Sequence, residues 1–279
     1  MEDSNRESYL ELLKMMLTDA HRKEAGQYSP IVKNRDTMKL RFALMIDSFF
    51  RRFDVALSRP INYKKEDILN GGPVWAPYAE SMLGTLRMDN IQYCLEQIKK
   101  DKIEGDVIET GIWRGGASIF MRGFLKAHQM TDKKVWAADS FDGIPKPNPE
   151  KYAADKGDRH YTAERLKVSL EEVQNNFSKY DLLDEKVIFL KGWFKDTLPT
   201  IPKETKFSLL RLDGDIYEST IDALNNLYPK LTPGGFVIID DYGSVPACKS
   251  ATDDYRETHH ITEKMERIDR SGFYWRKNN

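Results

Sequence analysis

The chain has 279 residues, of which 40% are hydrophobic and 31% charged, and its 43 basic and 44 acidic side chains give a net charge of −1. This length suits one large domain, or one domain with a substantial extension. The balanced charge argues against nucleic acid or an anionic membrane as a partner. The apolar stretches are too short to span a membrane and the first residues too polar for a signal peptide, so we expect a cytoplasmic protein.

The first 60 residues have the apolar spacing of helices. Two alternatives follow from this pattern: the helices pack against the main body, or they cover an active site. Residues 26–30 (GQYSP) would provide the hinge that a cover needs. The apolar positions are Leu10, Leu13, Leu17, Phe42, Met45, Phe49 and Phe53.

Residues 70–73 (NGGP) interrupt the chain, and a helix is predicted over residues 78–100. From residue 106 onward, short apolar runs alternate with helical stretches. We predict strands over residues 106–109, 135–139, 187–190, 207–212 and 236–239, a helix over 166–180 and a closing hairpin near 266–276. Alternation of this kind is typical of an α/β protein with a doubly wound, mostly parallel sheet.

A glycine turn follows the first of these strands, at residues 110–118 (TGIWRGGAS). Its glycines do not form the dinucleotide pattern G-x-G-x-x-G, but a strand precedes the turn, a helix follows it, and Asp139 ends the next strand. Glu109, directly before the turn, disfavours a pyrophosphate and favours a cationic ligand. S-adenosylmethionine has this character and NAD does not, so the turn predicts a site for S-adenosylmethionine.

Carboxylates follow the last two predicted parallel strands. Asp213 and Asp240 lie 27 residues apart, which leaves room for a crossover helix between neighbouring strands. Asp213, Asp215, Asp240 and Asp241 would then meet at one edge of the sheet and need a cation or a proton between them. Asp215 has a simpler interpretation, because with Glu218 three residues later it is placed to cap the following helix.

Several blocks in this order resemble the macrocin O-methyltransferase family (TylF-like), and the resemblance covers about residues 8 to 277. The blocks are residues 81–90 (SMLGTLRMDN), 109–116 (ETGIWRGG), 139–143 (DSFDG), 192–199 (GWFKDTLP), 212–220 (LDGDIYEST), 234–243 (GGFVIIDDYG) and 272–276 (GFYWR).

This resemblance implies a class I methyltransferase domain of Rossmann-like fold over residues 76–279, with an N-terminal helical lid over residues 1–75. It implies S-adenosylmethionine as methyl donor, Mg²⁺ as a second cofactor, and a homo-oligomer, most simply a homodimer. The expected reaction is methylation of a hydroxyl, commonly on a deoxysugar of a glycosylated natural product.

The resemblance also assigns roles to individual residues. Asp213, Asp240 and Asp241 would be the metal ligands, and Asp213 would also be the catalytic base. The residues expected around S-adenosylmethionine are Ser81, Met82, Glu109, Gly111, Ser118, Asp139, Ser140, Phe141, Gly143, Gly192 and Trp193.

Three other functions compete with this one. A phenolic or catechol-like hydroxyl would suit a metal-assisted methyl transfer equally well. A dehydrogenase is disfavoured by Glu109 and by the absence of a dinucleotide turn. A catalytically silent, nucleoside-binding scaffold protein would have no use for the carboxylate cluster, whose mutual repulsion costs stability.

Overall fold

The structure is a computed structural model that describes residues 2–23, 27–30, 38–71 and 77–278. The described residues of its N-terminal part form four α-helices and a two-stranded antiparallel sheet of β1 and β2. The elements are α1 (Glu2–Leu17), α2 (Ala20–Lys23), β1 (Gln27–Pro30), α3 (Met38–Phe50), β2 (Ser58–Ile61) and α4 (Lys65–Asn70).

The remainder alternates between helix and strand. Its elements are α5 (Thr85–Lys100), β3 (Asp106–Thr110), α6 (Gly116–Ala127), β4 (Val135–Asp139), α7 (Leu170–Lys179), β5 (Val187–Lys191), α8 (Phe194–Thr197), β6 (Phe207–Leu212), α9 (Tyr217–Leu227), β7 (Leu231–Ile239), α10 (Pro246–Thr258), β8 (Glu266–Arg267) and β9 (Phe273–Arg276).

The main sheet has seven strands in the order β5-β4-β3-β6-β7-β9-β8. Strands β3 to β7 are parallel to their neighbours, and the closing hairpin joins antiparallel at β7. The strand order reverses at β3, which pairs with both β4 and β6, and ligands of open α/β sheets bind beside such a reversal. The predicted α/β fold, with its doubly wound and mostly parallel sheet, is confirmed.

Both faces of the sheet are covered, which is why its strands are continuous apolar runs. One core contains Val107, Leu209 and Phe236 together with residues of α5 and α6. The other contains Leu210 and Val237 together with residues of α9 and α10. The sheet is therefore a rigid support whose carboxyl edge positions the loops of the site.

Two helices begin later than the sequence predicts. Helix α5 starts at Thr85 rather than near residue 78, because Gly71 and Leu83 form a β-bridge just before it. A Cβ on Gly84 would lie 2.1 Å from the carbonyl oxygen of Leu69, so only glycine fits this crossing. Helix α7 starts at Leu170, where the hydroxyl of Ser169 accepts the Glu172 N–H at 3.1 Å.

The first helix packs against the main body. The leucines at positions 10, 13 and 17 are buried, and Gly123 of α6 leaves space for Leu13. The carbonyl of Leu17 accepts the N–H of Ser81 at 2.9 Å, which ties α1 to the loop before α5. Packing, the first of the two alternatives, is therefore confirmed for α1.

Helix α3 and the 3-10 turn after it (Arg51–Phe53) differ, because the predicted apolar positions 42, 45, 49 and 53 are all more than half exposed. The proposed hinge begins at residue 26, outside the described residues, and its remainder is strand β1. The lid, the division near residue 75 and the homo-oligomer stay predictions. None of the described helices is long and apolar enough to cross a membrane, and Cys94 and Cys248 are buried free thiols.

Candidate active site

The glycine turn joins the ends of three neighbouring strands. Gly111 has a φ of +79°, and a Cβ placed on it would lie 1.8 Å from the carbonyl oxygen of Asp213. The N–H of Gly111 donates to the carbonyl of Ala138 at 2.9 Å. The N–H of Asp213 donates to the carbonyl of Thr110, also at 2.9 Å. Only glycine permits so close an approach, so the cofactor turn and the acidic loop are built against each other.

Asp139, at the end of β4, fastens this turn in place. One carboxylate oxygen accepts the N–H of Ile112 at 2.8 Å, and the other accepts the N–H of Phe141 at 2.8 Å. Burial raises the pKa of Asp139, while these backbone donors act in the opposite direction. The predicted hydrogen bonds from Asp139 to a ribose stay a prediction.

A first cavity of about 300 Å³ opens beside this turn. We refer to it as the cofactor cavity. The predicted cofactor residues that line it are Met82, Gly111, Asp139, Ser140, Gly143, Gly192 and Trp193.

The other predicted cofactor residues lie elsewhere around the turn. Ser81 and Glu109 line a second cavity of about 770 Å³. Ser118 is fully buried, and its hydroxyl donates to Glu109. Phe141 is buried, with its ring centroid 6.4 Å from that of Phe189.

Arg211 links the cofactor turn to the acidic loops. This arginine is 2% exposed and donates to Glu109 at 2.5 Å, to Asp213 at 3.1 Å and to Asp240 at 2.5 Å. Arg87 donates to the second oxygen of Asp240, also at 2.5 Å. Asp240 therefore has an arginine on each of its two carboxylate oxygens.

Asp213 also belongs to a cluster of three carboxylates, with Asp215 and Asp241. One oxygen atom from each of Asp213, Asp215 and Asp241 lies within 4.8 Å of the others. Burial and neighbouring carboxylates raise the pKa of Asp215 to about 8 and that of Asp241 to about 8, and they raise the pKa of Asp213 well above its ordinary value. Each shift favours the protonated acid where no cation is bound, in agreement with the expectation that crowded carboxylates need a cation or a proton between them.

The expectation that Asp215 caps the following helix was wrong. Its backbone is left-handed, with a φ of +55°, and α9 begins after Ile216. The cap comes instead from a distant loop: Asp155 accepts the N–H of Tyr217 at 2.7 Å and that of Glu218 at 3.1 Å. Asp215 is thereby left to face the other carboxylates.

The cavity of about 770 Å³ is lined by Asp213, Asp215, Asp240 and Asp241, and we refer to it as the acceptor cavity. Seven acidic residues and four arginines line it, and it extends to the loop around residues 154–166. Its border with the cofactor cavity is shared by Met82, Gly111, Trp113, Leu166, Asp213 and Asp215.

Sequence reasoning missed several residues of the site. Arg211 had a detectable signal, because a charged residue in the middle of a buried strand needs a partner. Sequence reasoning also assigned no role to Trp113. This residue is buried at the border between the two cavities, has a φ of +49°, and donates its indole N–H to the carbonyl of Arg165 at 2.9 Å. The role of Asp155 had no local signal, because its partner Tyr217 lies 62 residues away.

The doubly wound sheet, with a glycine turn at the strand reversal and an acidic loop on the neighbouring strand, defines a class I methyltransferase. More specifically, the chain belongs to the macrocin O-methyltransferase (TylF) family, whose model matches residues 6–277. The recognised family, the S-adenosylmethionine-dependent O-methyltransferase activity and the class I fold are confirmed.

Relatives with assigned names agree with this membership. The chain is 51% identical over 214 residues to demethyldecarbamoylnovobiocin O-methyltransferase from Streptomyces niveus, covering 76% of this chain and 81% of that one. It is 47% identical over 215 residues to mycinamicin III 3''-O-methyltransferase from Micromonospora griseorubida, covering 76% and 84% respectively.

Solved structures show the same architecture. The O-methyltransferase NovP is 41% identical with a TM-score of 0.81, covering 98% of this chain and 100% of its own. The calicheamicin methyltransferase CalS11 is 15% identical with a TM-score of 0.55, covering 88% of this chain and 95% of its own. The likeness to CalS11 shows the fold alone.

Proposed function

We propose that this enzyme methylates a hydroxyl on a deoxysugar of a glycosylated natural product, with Mg²⁺ as a second cofactor. The observation that carries the proposal is the pair of cavities that meet at Asp213 and Asp215. A volume of about 770 Å³ on the acceptor side is within the range of sites for drug-sized molecules. Carboxylates at the border suit an acceptor that presents hydroxyl groups.

The names of relatives support this acceptor class. Half of the residues over a 206-residue match are identical to those of 8-demethyl-8-(2,3-dimethoxy-alpha-L-rhamnosyl)-tetracenomycin-C 4'-O-methyltransferase from Streptomyces olivaceus, covering 74% of this chain and 78% of that one. That name specifies a rhamnosyl group. We propose that the acceptor of the present enzyme also carries a sugar of this kind.

The role of the chain is to orient two reactants, since S-adenosylmethionine supplies a methyl group that is already activated. Gly111 allows the backbone to approach the donor, and Asp139 holds that turn to β4. Trp113 and Met82 line both cavities at their border. Holding donor and acceptor in line across this border accounts for a large part of the expected rate enhancement.

A divalent cation fits the acidic cluster. The carboxylates of Asp213, Asp215 and Asp241 are close enough to share one ion, and one oxygen of Asp241 is buried with no hydrogen-bond partner among the described residues. Three carboxylates are hard ligands, which favour Mg²⁺. A cation held there would supply Lewis-acid polarisation of an acceptor oxygen. The sequence instead predicts Asp240 as the third ligand, and this prediction competes with the choice of Asp215.

Asp213 is the proposed base. It lies at the border of both cavities, and Arg211 holds its carboxylate from behind at 3.1 Å. A carboxylate fixed in this way can accept the hydroxyl proton without swinging away from the acceptor.

Two measurements test the proposed function. S-adenosylhomocysteine should raise the melting temperature while NADH does not, since the glycine turn suits a nucleoside without a pyrophosphate. A screen of demethyldecarbamoylnovobiocin, mycinamicin III and simple catechols, with and without Mg²⁺ after EDTA treatment, should show methylation of a glycosylated compound only with Mg²⁺. Methylation of catechols alone, or full activity in EDTA, would contradict the acceptor class or the metal respectively.

A further inference from the structure

A histidine and an aspartate line the acceptor cavity and take no part in the chemistry described so far. Asp158 and His160 belong to the loop between β4 and α7. We propose that His160, oriented by Asp158, binds a hydroxyl group of the acceptor and so contributes to acceptor specificity. The inference rests on the proposed function, because it assumes a polyhydroxylated acceptor in this cavity.

The loop is held firmly at the base of the site. Asp155 is 1% exposed and caps α9, whose first turn directly follows the acidic loop. The ring of Tyr152 lies against that of Tyr217, with 5.2 Å between the centroids. These two contacts join the acceptor loop to α9, so a side chain farther along the loop keeps a defined position relative to Asp213 and Asp215.

The chain turns at Gly157, which also lines the cavity. This glycine has a φ of +88°, and no atom lies within 4 Å of the position that a Cβ would occupy. Glycine serves here for its backbone conformation and not for lack of space. Asp158 and His160 follow directly and line the cavity wall.

Asp158 determines how the histidine is presented. One carboxylate oxygen accepts the backbone N–H of His160 at 2.8 Å, and the other lies 2.7 Å from its ring nitrogen Nδ1. A carboxylate only accepts hydrogen bonds, so Nδ1 carries the proton. In the neutral ring, Nε2 is then left as an acceptor.

The side chain of Asp158 is more buried than that of His160, as expected if Asp158 positions the ring and the ring contacts the ligand. The carboxylate of Asp158 is 13% exposed, whereas the ring of His160 is 49% exposed and lines the cavity. Asp158 therefore positions the ring through Nδ1. Nε2 of the neutral ring is then available to accept a hydrogen bond from a hydroxyl group of the sugar. Asp158 is a positioning residue, and His160 is the contact.

Two other histidines, near the C-terminal end of the chain, do not compete for this role. His259 and His260 lie at the end of α10, where both are exposed. His259 packs on Tyr255, with 4.2 Å between the ring centroids. His259→Ala is thus a suitable control for the loss of an exposed imidazole away from the two cavities.

The test uses methyl α-L-rhamnopyranoside as the probe, titrated into the full-length protein saturated with S-adenosylhomocysteine and Mg²⁺. Binding is followed by NMR of the histidine ring nitrogens, where His160→Gln identifies the His160 signal. The free protein should show His160 with the proton on Nδ1, and the Nε2 signal should shift as the probe binds. Asp158→Asn should weaken this preference for one tautomer.

His160→Ala should weaken probe binding by about 5- to 10-fold, the usual effect of one hydrogen bond, with S-adenosylhomocysteine binding unchanged. His160→Gln, which keeps an acceptor atom, should recover most of that loss, and His259→Ala should match wild type. The melting temperature of each variant checks that it folds.

Equal probe affinity in wild type and His160→Ala would overturn the contact and leave the proposed function standing. A wild-type protein that binds S-adenosylhomocysteine but not the rhamnoside would overturn this inference together with the deoxysugar acceptor. Binding of neither would overturn the proposed function itself.

Discussion

Gly111 and Asp213 touch through their backbones, since a Cβ on Gly111 would lie 1.8 Å from the carbonyl oxygen of Asp213. One residue belongs to the cofactor turn and the other to the acidic loop. Their contact links the turn proposed to bind the cofactor with the loop that carries the proposed base, across neighbouring strands β3 and β6. A change at Gly111 must therefore move both the donor site and the proposed base.

We expect Gly111→Ala to destabilise the protein by about 3 kcal/mol or more, because the added methyl overlaps a backbone atom that cannot move freely. S-adenosylhomocysteine binding should also weaken by at least about tenfold, a change of about 1.4 kcal/mol. Chemical denaturation and titration calorimetry measure the two effects.

Gly157→Ala is the matched control for Gly111. It also places alanine at a positive φ, but with open space around the new methyl group. It should cost only about 1 to 2 kcal/mol from the backbone conformation and leave S-adenosylhomocysteine binding unchanged. Equal losses in both variants would mean that backbone conformation, and not the contact with Asp213, explains the effect.

Loss of the cap on α9 should lower the stability of the protein and also weaken binding of the methyl acceptor. Asp155→Ala removes the acceptor for the N–H groups of Tyr217 and Glu218, which should cost about 1 to 2 kcal/mol. Because α9 follows the acidic loop and Asp155 anchors the acceptor loop, KM for the acceptor should rise as well. Donor affinity should change little.

Ser169→Ala provides the comparison, since it removes the cap of α7. It should cost about 1 kcal/mol of stability by the same mechanism. Steady-state kinetics should show no change in acceptor KM, as Ser169 lines neither cavity among the described residues. If the two variants raised acceptor KM equally, the effect would come from general destabilisation.

The two candidate ligand sets can be separated by Mg²⁺ binding. Asp215→Asn should weaken Mg²⁺ binding measured by calorimetry by about tenfold or more, because it removes one of three converging carboxylates. Asp240→Asn should have a smaller effect on Mg²⁺ affinity and a larger one on stability, since Arg87 and Arg211 occupy both oxygens of Asp240. The opposite order would restore the set predicted from the sequence.

The five parallel strands were predictable because strands buried on both faces are mostly apolar runs, as in residues 236–239 (FVII). Their carboxyl ends also predicted that Asp213, Asp215, Asp240 and Asp241 lie at one edge of the sheet. The partners of the acids were not predictable. Arg87 lies 153 residues from Asp240, and nothing in the local pattern around either residue identifies the other. Long-range ion pairs depend on how helices pack on the sheet, which periodicity does not describe.

Asp215 illustrates the same limit at short range. Its spacing to Glu218 matches a capping box, yet its φ of +55° and the competing carboxylate of Asp155 exclude that role. Two further non-glycine residues of the site loops, Trp113 and Phe141, also have positive φ values. Backbone strain of this kind is typical of functional sites, and the surrounding fold maintains it.

The last prediction concerns Arg211, the buried cation shared by Glu109, Asp213 and Asp240. Arg211→Ala should destabilise the protein by about 3 to 5 kcal/mol, because it leaves buried carboxylates without their partner. The exposed pair of Lys206 and Glu104 is the control, and Lys206→Ala should cost less than about 1 kcal/mol. Urea denaturation measures both values.

If Arg211 acts only through folding, a variant stable enough to assay would keep normal cofactor and Mg²⁺ affinities. We expect instead that Arg211→Lys, which keeps the charge but cannot reach three carboxylates at once, folds and binds S-adenosylhomocysteine and Mg²⁺ more weakly. Calorimetry on this variant distinguishes the two outcomes. Unchanged affinities for both ligands would show that Glu109 and Asp240 hold their positions without the arginine.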